Sequence, residues 1–249
     1  MTNEKPQNEE MNNIKKTLDL GETINEAFEI WKKTALIGGL GFIFLMLILT
    51  MLAVTGIGYF FEADKLPELM RNFNPETLSI NGMLIYFAIV IGFTVLISPF
   101  VAGMLKMAHD ADNDQEVTFS SIYYYVNSPQ FLDIVLATTV ISLFSVGLNM
   151  LLKQLLPNTL GDIFGFVTSY TTSILTFIAI PLVIFKSLNF IDAIKLSCTR
   201  ILNNFFIVLL LMIIAGIFSV VGIVALCIGL FFTIPFAYAM QYSIYKRLS

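Results

Sequence analysis

The densest run of groups that could do chemistry is His109-Asp110-Ala111-Asp112-Asn113-Asp114-Gln115-Glu116, whose alternating carboxylates could converge on a hard cation such as calcium. Read as an EF-hand loop from Asp110, it fails twice. The sixth position needs glycine for its turn and is Gln115; the twelfth needs a bidentate glutamate and is Ser121. We expect no metal there and read a solvated acidic turn instead. His109 is the only histidine, so a His pair, an HExxH zinc site or a four-His iron centre cannot be assembled within this chain. No Gly-x-Ser-x-Gly elbow is present, and the lone histidine falls in a polar segment. Intramembrane aspartyl cleavage needs two buried carboxylates, whereas Asp133, Asp162 and Asp192 fall at or near the ends of apolar runs. We expect no catalytic residue, no metal and no cofactor.

One polar pattern is ordered enough to weigh as a site. Thr138, Ser142, Ser145 and Asn149 recur at i, i+4, i+7 and i+11, one stripe of a helix, and Thr168, Thr172 and Thr176 make a second stripe on the next helix. Facing each other, they could line a hydrophilic groove for a small solute or a lipid headgroup. Alternatively they exchange interhelical hydrogen bonds, or bond back to their own i−4 carbonyls, which is ordinary glue in helical membrane proteins.

The elements that must position these residues follow from composition. The chain has 249 residues, 57% hydrophobic and 13% charged, with a mean hydropathy of +0.81. An average soluble domain is roughly 25% charged, so these charges cannot cover a water-soluble surface of this size, and the bilayer is the expected solvent. A net charge of −4 and a pI near 5.0, without a basic block, give nucleic acid no electrostatic footing. Residues 1–18 are rich in Asn, Glu and Lys and are read as a flexible cytoplasmic tail. Apolar stretches near 35–61, 83–105, 131–156, 164–185, 203–221 and 224–245 are each long enough to cross about 30 Å of hydrocarbon. The expected fold, over 19–249, is an all-α polytopic bundle of six transmembrane helices.

With the amino terminus in the cytoplasm, eleven basic residues lie on inner segments: Lys5, Lys15, Lys16, Lys32, Lys33, Lys106, Lys186, Lys195, Arg200, Lys246 and Arg247. Only Lys65, Arg71 and Lys153 lie on outer ones. The positive-inside rule then places both termini in the cytoplasm, in a cell's inner membrane. Each odd-numbered span follows a short amphipathic stretch, beginning at Thr23, Thr118 and Asn189, which we read as interfacial helices. Thr23 with Glu26 is a candidate capping box, Asn189 with Asp192 a looser one. Trp31, Lys32 and Lys33 suit an anchor in the headgroup layer. Each even-numbered span carries a proline, Pro99, Pro181 or Pro235, followed by a lysine, so three copies of one helical hairpin are expected, with a kink at each proline. The pairs Ala35/Gly39, Ala88/Gly92 and Ala225/Gly229 are expected to let helices approach closely. Cys198 and Cys227 fall in different environments and form no CxxC or metal spacing.

The stretch SPFVAGMLKMAHDADNDQEVTFSSI, the D-A-hydrophobic-K-hydrophobic-S run from Asp192 to Ser197 and the IG-to-IP run from Ile228 to Pro235 resemble a family of bacterial integral membrane proteins. It includes YciC-type inner-membrane proteins and the membrane portion of certain glycerophosphodiester phosphodiesterases. The resemblance covers about Thr23 to Leu248 and implies a six-helix inner-membrane bundle without established catalytic residues. Some similar chains carry a β-carotene monooxygenase label, against which the single histidine argues. The functional expectation is a non-enzymatic accessory or scaffold protein of the envelope, acting on membrane lipids or a membrane-protein partner. The alternative is a transporter of a small solute or lipid using the Thr138/Thr168 groove.

Overall fold

The computed structural model describes residues 18–60, 80–156, 158–224 and 228–249. The described residues form α-helices α1 (Leu20–Phe60), α2 (Ile80–Asp112), α3 (Phe131–Leu155), α4 (Asn158–Leu175), α5 (Ala179–Lys186), α6 (Phe190–Leu202), α7 (Phe205–Val224) and α8 (Ile228–Leu248). A 3-10 helix, Phe119–Asn127, lies between α2 and α3, and no strand occurs among the described residues. Four segments are long and apolar enough to cross a membrane: Leu20–Leu52, Tyr86–Asp112, Phe131–Leu155 and Thr159–Lys186. A fifth is added if Phe190–Leu202 and Phe205–Val220, bent by 98°, count as one. Large apolar side chains on these helices face outward, with Leu36, Leu47 and Met51 all more than 60% exposed, as a bilayer solvent requires. The last expected span, near 224–245, crosses residues 225–227, which lie outside the described set, as does the tail before Leu18. Leu18 itself is buried in the core.

The three amphipathic stretches do three different things. The first is no separate interfacial helix: α1 runs unbroken from Leu20 and carries Thr23, Ala27, Ile30 and Thr34 buried along one face. Its cap is Asp19 rather than Thr23, since Asp19 Oδ1 accepts from the Glu22 amide at 2.8 Å and the Thr23 hydroxyl donates to the Asp19 carbonyl. The second winds as a 3-10 helix. The third forms the capping pair its sequence announced. Asn189 Oδ1 accepts from the Asp192 amide at 3.0 Å, Asp192 accepts from the Asn189 side chain at 2.7 Å, and α6 turns nearly at right angles into α7.

The prolines shape the bundle through the carbonyls they leave unpaired. Pro99 has no N–H for Val95 O, and the Ser98 hydroxyl donates to that carbonyl at 2.8 Å. Pro181 does more than kink its helix. The expected span 164–185 is two helices, α4 and α5, broken at residues 176–178. Two side chains from other helices close the gap: Gln241 of α8 donates to Phe177 O at 2.6 Å, and Ser197 of α6 donates to Leu175 O at 2.8 Å. Pro235 lies inside α8, and its ring fits against Gly38 of α1, where an added Cβ would sit 3.1 Å from Cγ.

Close approach is made at several glycines outside the expected pairs. A Cβ at Gly92 would meet nothing, so Ala88/Gly92 makes no close approach at Gly92 among the described residues, and Ala225 lies outside them. Gly161 and Gly165 of α4 instead press on Lys153 and Asn149 of α3. At Gly103 of α2 the backbone of Ile122 approaches so closely that a Cβ would lie 2.0 Å from its carbonyl oxygen. The 3-10 helix is thereby seated directly on α2, with Ile122 buried against Met104 and Met107.

Candidate functional site

The polar side chains gather at one end of the bundle, where the start of α1 meets the ends of α2, α5 and α8. Glu26 of α1 accepts from Lys246 at 2.7 Å and from Arg247 at 2.9 Å; Lys246 also reaches Asp112 at 2.7 Å and Arg247 reaches Glu22 at 2.7 Å. The Tyr242 hydroxyl donates to Asp112 at 3.1 Å. Burial alone would lower Lys246 and Arg247, but hydrogen bonds and the charges of Glu22, Glu26 and Asp112 outweigh it and hold both cations above their ordinary values. Lys33 donates to Ala111 O at 3.0 Å and to Asp114 at 2.6 Å. That hydrogen bond, and then the ammonium charge, hold the Asp114 carboxyl below its ordinary value. Asp114 sits at φ 52°, in the left-handed region, on the turn that ends α2. A clasp of alternating charges thus ties α1, α2 and α8 together.

This geometry changes the reading of the acidic run. Its first half is helix, because α2 continues through Asp112 and its last turns place Asp110 and Asp112 inward, while Asn113 to Glu116 form an exposed turn as expected. Asp110 is 3% exposed, held by Lys106 at 2.9 Å on both oxygens and by the Ser121 hydroxyl at 3.2 Å. His109 stacks on Phe185 with ring centroids 4.9 Å apart and meets Tyr242 edge-on. No group of three or more His, Cys, Asp or Glu able to hold a metal ion occurs among the described residues.

Of the anchor residues, Trp31 turns toward the bundle, while Lys32 and Lys33 stay exposed. The Trp31 indole donates to Phe232 O at 2.7 Å and packs between Phe28, Phe218 and Phe236. Lys32 pairs with Glu29 on the surface, and Lys33 belongs to the clasp.

The two hydroxyl stripes lie on packed helices, α3 and α4. Thr138 donates to Ile134 O, Thr168 to Phe164 O, Thr172 to Thr168 O and Thr176 to Thr172 O, each within 2.9 Å. Asn149 crosses to Ser169 at 3.2 Å and lies over Gly165, while Ser142 and Ser145 are half-buried on α3. The carboxylates at helix ends are structural. Asp133 accepts from the Phe190 amide at 3.1 Å, beside the Asn189–Asp192 pair, and Asp162 pairs with Lys153 at 2.8 Å across the α3–α4 turn.

A cleft that spacing did not reveal opens between the last turns of α2 and the 3-10 helix, with a volume of about 470 Å³. Lys106 and Asp110 form one side, and Glu116, Ser120, Tyr123 and Tyr124 the other. The Lys106 ammonium lies 4.9 Å from the Tyr124 ring centre. The signal for it was present in the run T-F-S-S-I-Y-Y-Y, whose hydroxyls and paired tyrosines are more polar than a spanning helix needs. Compared with protein-family models, curated proteins and solved structures, the chain matches none of them.

Proposed function

We propose that this protein is a non-enzymatic, multi-pass protein of the cell's inner membrane that acts as an accessory or scaffold through contacts with lipids or a membrane-protein partner. On this reading six spans form three helical hairpins and both termini lie in the cytoplasm, as in the YciC-like proteins the sequence resembles. The observation that carries it is the state of the hydroxyl stripes. Thr138, Thr168, Thr172 and Thr176 each give their hydrogen to the main chain of their own helix, and Asn149 bridges to Ser169, so the stripes behave as packing. A transport path would hold those donors open to a solute. The clasp supports the orientation, because it collects Lys33, Lys246 and Arg247 at a single end of the bundle.

Two thiol-labelling experiments in a Cys198→Ala/Cys227→Ala background test the proposal. For the seam, Ser142→Cys and Thr172→Cys should resist an impermeant maleimide from either side; rapid labelling from one side would support the transporter instead. For the orientation, Glu68→Cys should react in intact cells and Gln115→Cys only after lysis, and the reverse pattern would overturn it. Native mass spectrometry of the detergent-released protein reads out which lipids or proteins stay bound.

A further inference from the structure

We propose that the cleft between α2 and the 3-10 helix holds the headgroup of a phospholipid bearing a primary ammonium, its phosphate on Lys106 and its ammonium toward Glu116. This deepens, and rests on, the lipid-contact reading above. Its volume of about 470 Å³ falls within the roughly 300–1,000 Å³ of ordinary ligand sites. It opens where the apolar segment Tyr86–Asp112 gives way to charge, and Tyr123 and Tyr124 on its rim are each 55% exposed, the placement of aromatic residues in a headgroup layer.

Charge selects the ligand class. The lining carries one cation, Lys106, against two carboxylates, Asp110 and Glu116. Lys106 and Asp110 offset each other at 2.9 Å, while Glu116 makes no ion pair among the described residues. A purely anionic headgroup would therefore meet an uncompensated negative charge. Hydrogen-bond chemistry narrows the choice further. Ser120, Thr118 and Ser121 are linked through their hydroxyls and Ser121 donates to Asp110, so hydroxyl and carboxylate oxygens that can accept from N–H line the cleft. Two N–H groups of Lys106 go to Asp110, leaving a third for a phosphate oxygen. A zwitterion meets both the lysine and the unpaired carboxylate, and a primary ammonium uses the acceptors where a quaternary one would not.

The test places the full-length protein in nanodiscs of equal phosphatidylethanolamine, phosphatidylcholine and phosphatidylglycerol, and measures by native mass spectrometry which lipid remains bound. Phosphatidylethanolamine should be enriched. Glu116→Gln, at an exposed position, should lower that enrichment by roughly tenfold, as the loss of one charge-assisted hydrogen bond implies. Glu116→Lys should turn the preference toward phosphatidylglycerol. Lipids retained in the same proportions by all three proteins would overturn the cleft assignment and leave the lipid-contact reading standing; no retained lipid at all would overturn both. Saturable binding of O-phosphoethanolamine by protein that retains no phosphatidylethanolamine would overturn the lipid source in favour of a soluble phosphoamine.

Discussion

Gln241 should be worth more to this protein than an ordinary interhelical hydrogen bond, because it serves a carbonyl that no main-chain donor can reach. Pro181 lacks the N–H that would bond Phe177 O, and Gln241 supplies one from α8 at 2.6 Å. Side-chain hydrogen bonds between helices in a bilayer average only about 0.6 kcal/mol, since the separated helices find other partners. A carbonyl left without a donor costs about 1–3 kcal/mol. Gln241→Leu keeps the side chain's size and removes the donor, so its cost should fall in that higher range. Pro181→Ala restores an N–H at residue 181, and in that background Gln241→Leu should cost under about 0.5 kcal/mol, giving a coupling of about 0.5–3 kcal/mol between residues on different helices. The assay is reversible unfolding by dodecyl sulfate in mixed micelles, followed through Trp31, the only tryptophan, whose ring packs on Phe218 and Phe236. Equal losses in the two backgrounds would refute the reasoning, showing that Gln241 contributes packing alone.

Other expectations follow from the same geometry. Gly103→Ala should lose about 2–3 kcal/mol in the same unfolding assay, because its methyl group meets main chain that cannot rotate away, whereas Gly92→Ala, facing open space, should be neutral or gain up to about 1 kcal/mol. Glu26→Gln removes one partner from each of Lys246 and Arg247, both of which keep another, so the loss should stay near 1 kcal/mol and shrink in about 1 M salt. The depressed Asp114 carboxyl contributes stability that is present above its ordinary value of 3.8 and lost as pH falls through the lowered one; Lys33→Met should flatten that acid-side slope in a pH titration of stability. Lys246 has the opposite sign. Its contribution is complete below 10.5 and is lost as pH rises through its raised value, so Lys246→Met should remove stability evenly across neutral pH and flatten only the alkaline limb.

Hydropathy located the apolar segments because burial in lipid acts on whole runs of side chains, and the Asn189–Asp192 box was legible because capping is local in sequence. What stayed hidden depends on partners far along the chain. Pro181 announced a distortion, but its full break at 176–178 is tolerated through Gln241 and Ser197, which no window around the proline contains. The acidic run looked solvated because Lys246 and Tyr242, which bind Asp112, stand 134 and 130 residues away. Composition could also not tell an α-helix from the 3-10 turn at Phe119–Asn127, whose shape is set by the gap over Gly103 that Ile122 fills. For the candidate polar stripes, spacing named the residues but not the acceptors of their hydroxyls, which for Thr138 and Thr172 are carbonyls of their own helices.

The long reach between α1 and α8 sets a schedule for biosynthesis. Trp31 and its acceptor Phe232 are 201 residues apart, so at translation rates of roughly 5–20 residues per second the first helix waits on the order of 10–40 s for its main neighbour. During that interval its indole N–H, the flat glycine surface at Gly38 and the carboxylates of Glu22 and Glu26 have no mate. Arrest of synthesis before α8 emerges should therefore leave a species more easily degraded by protease than the finished chain.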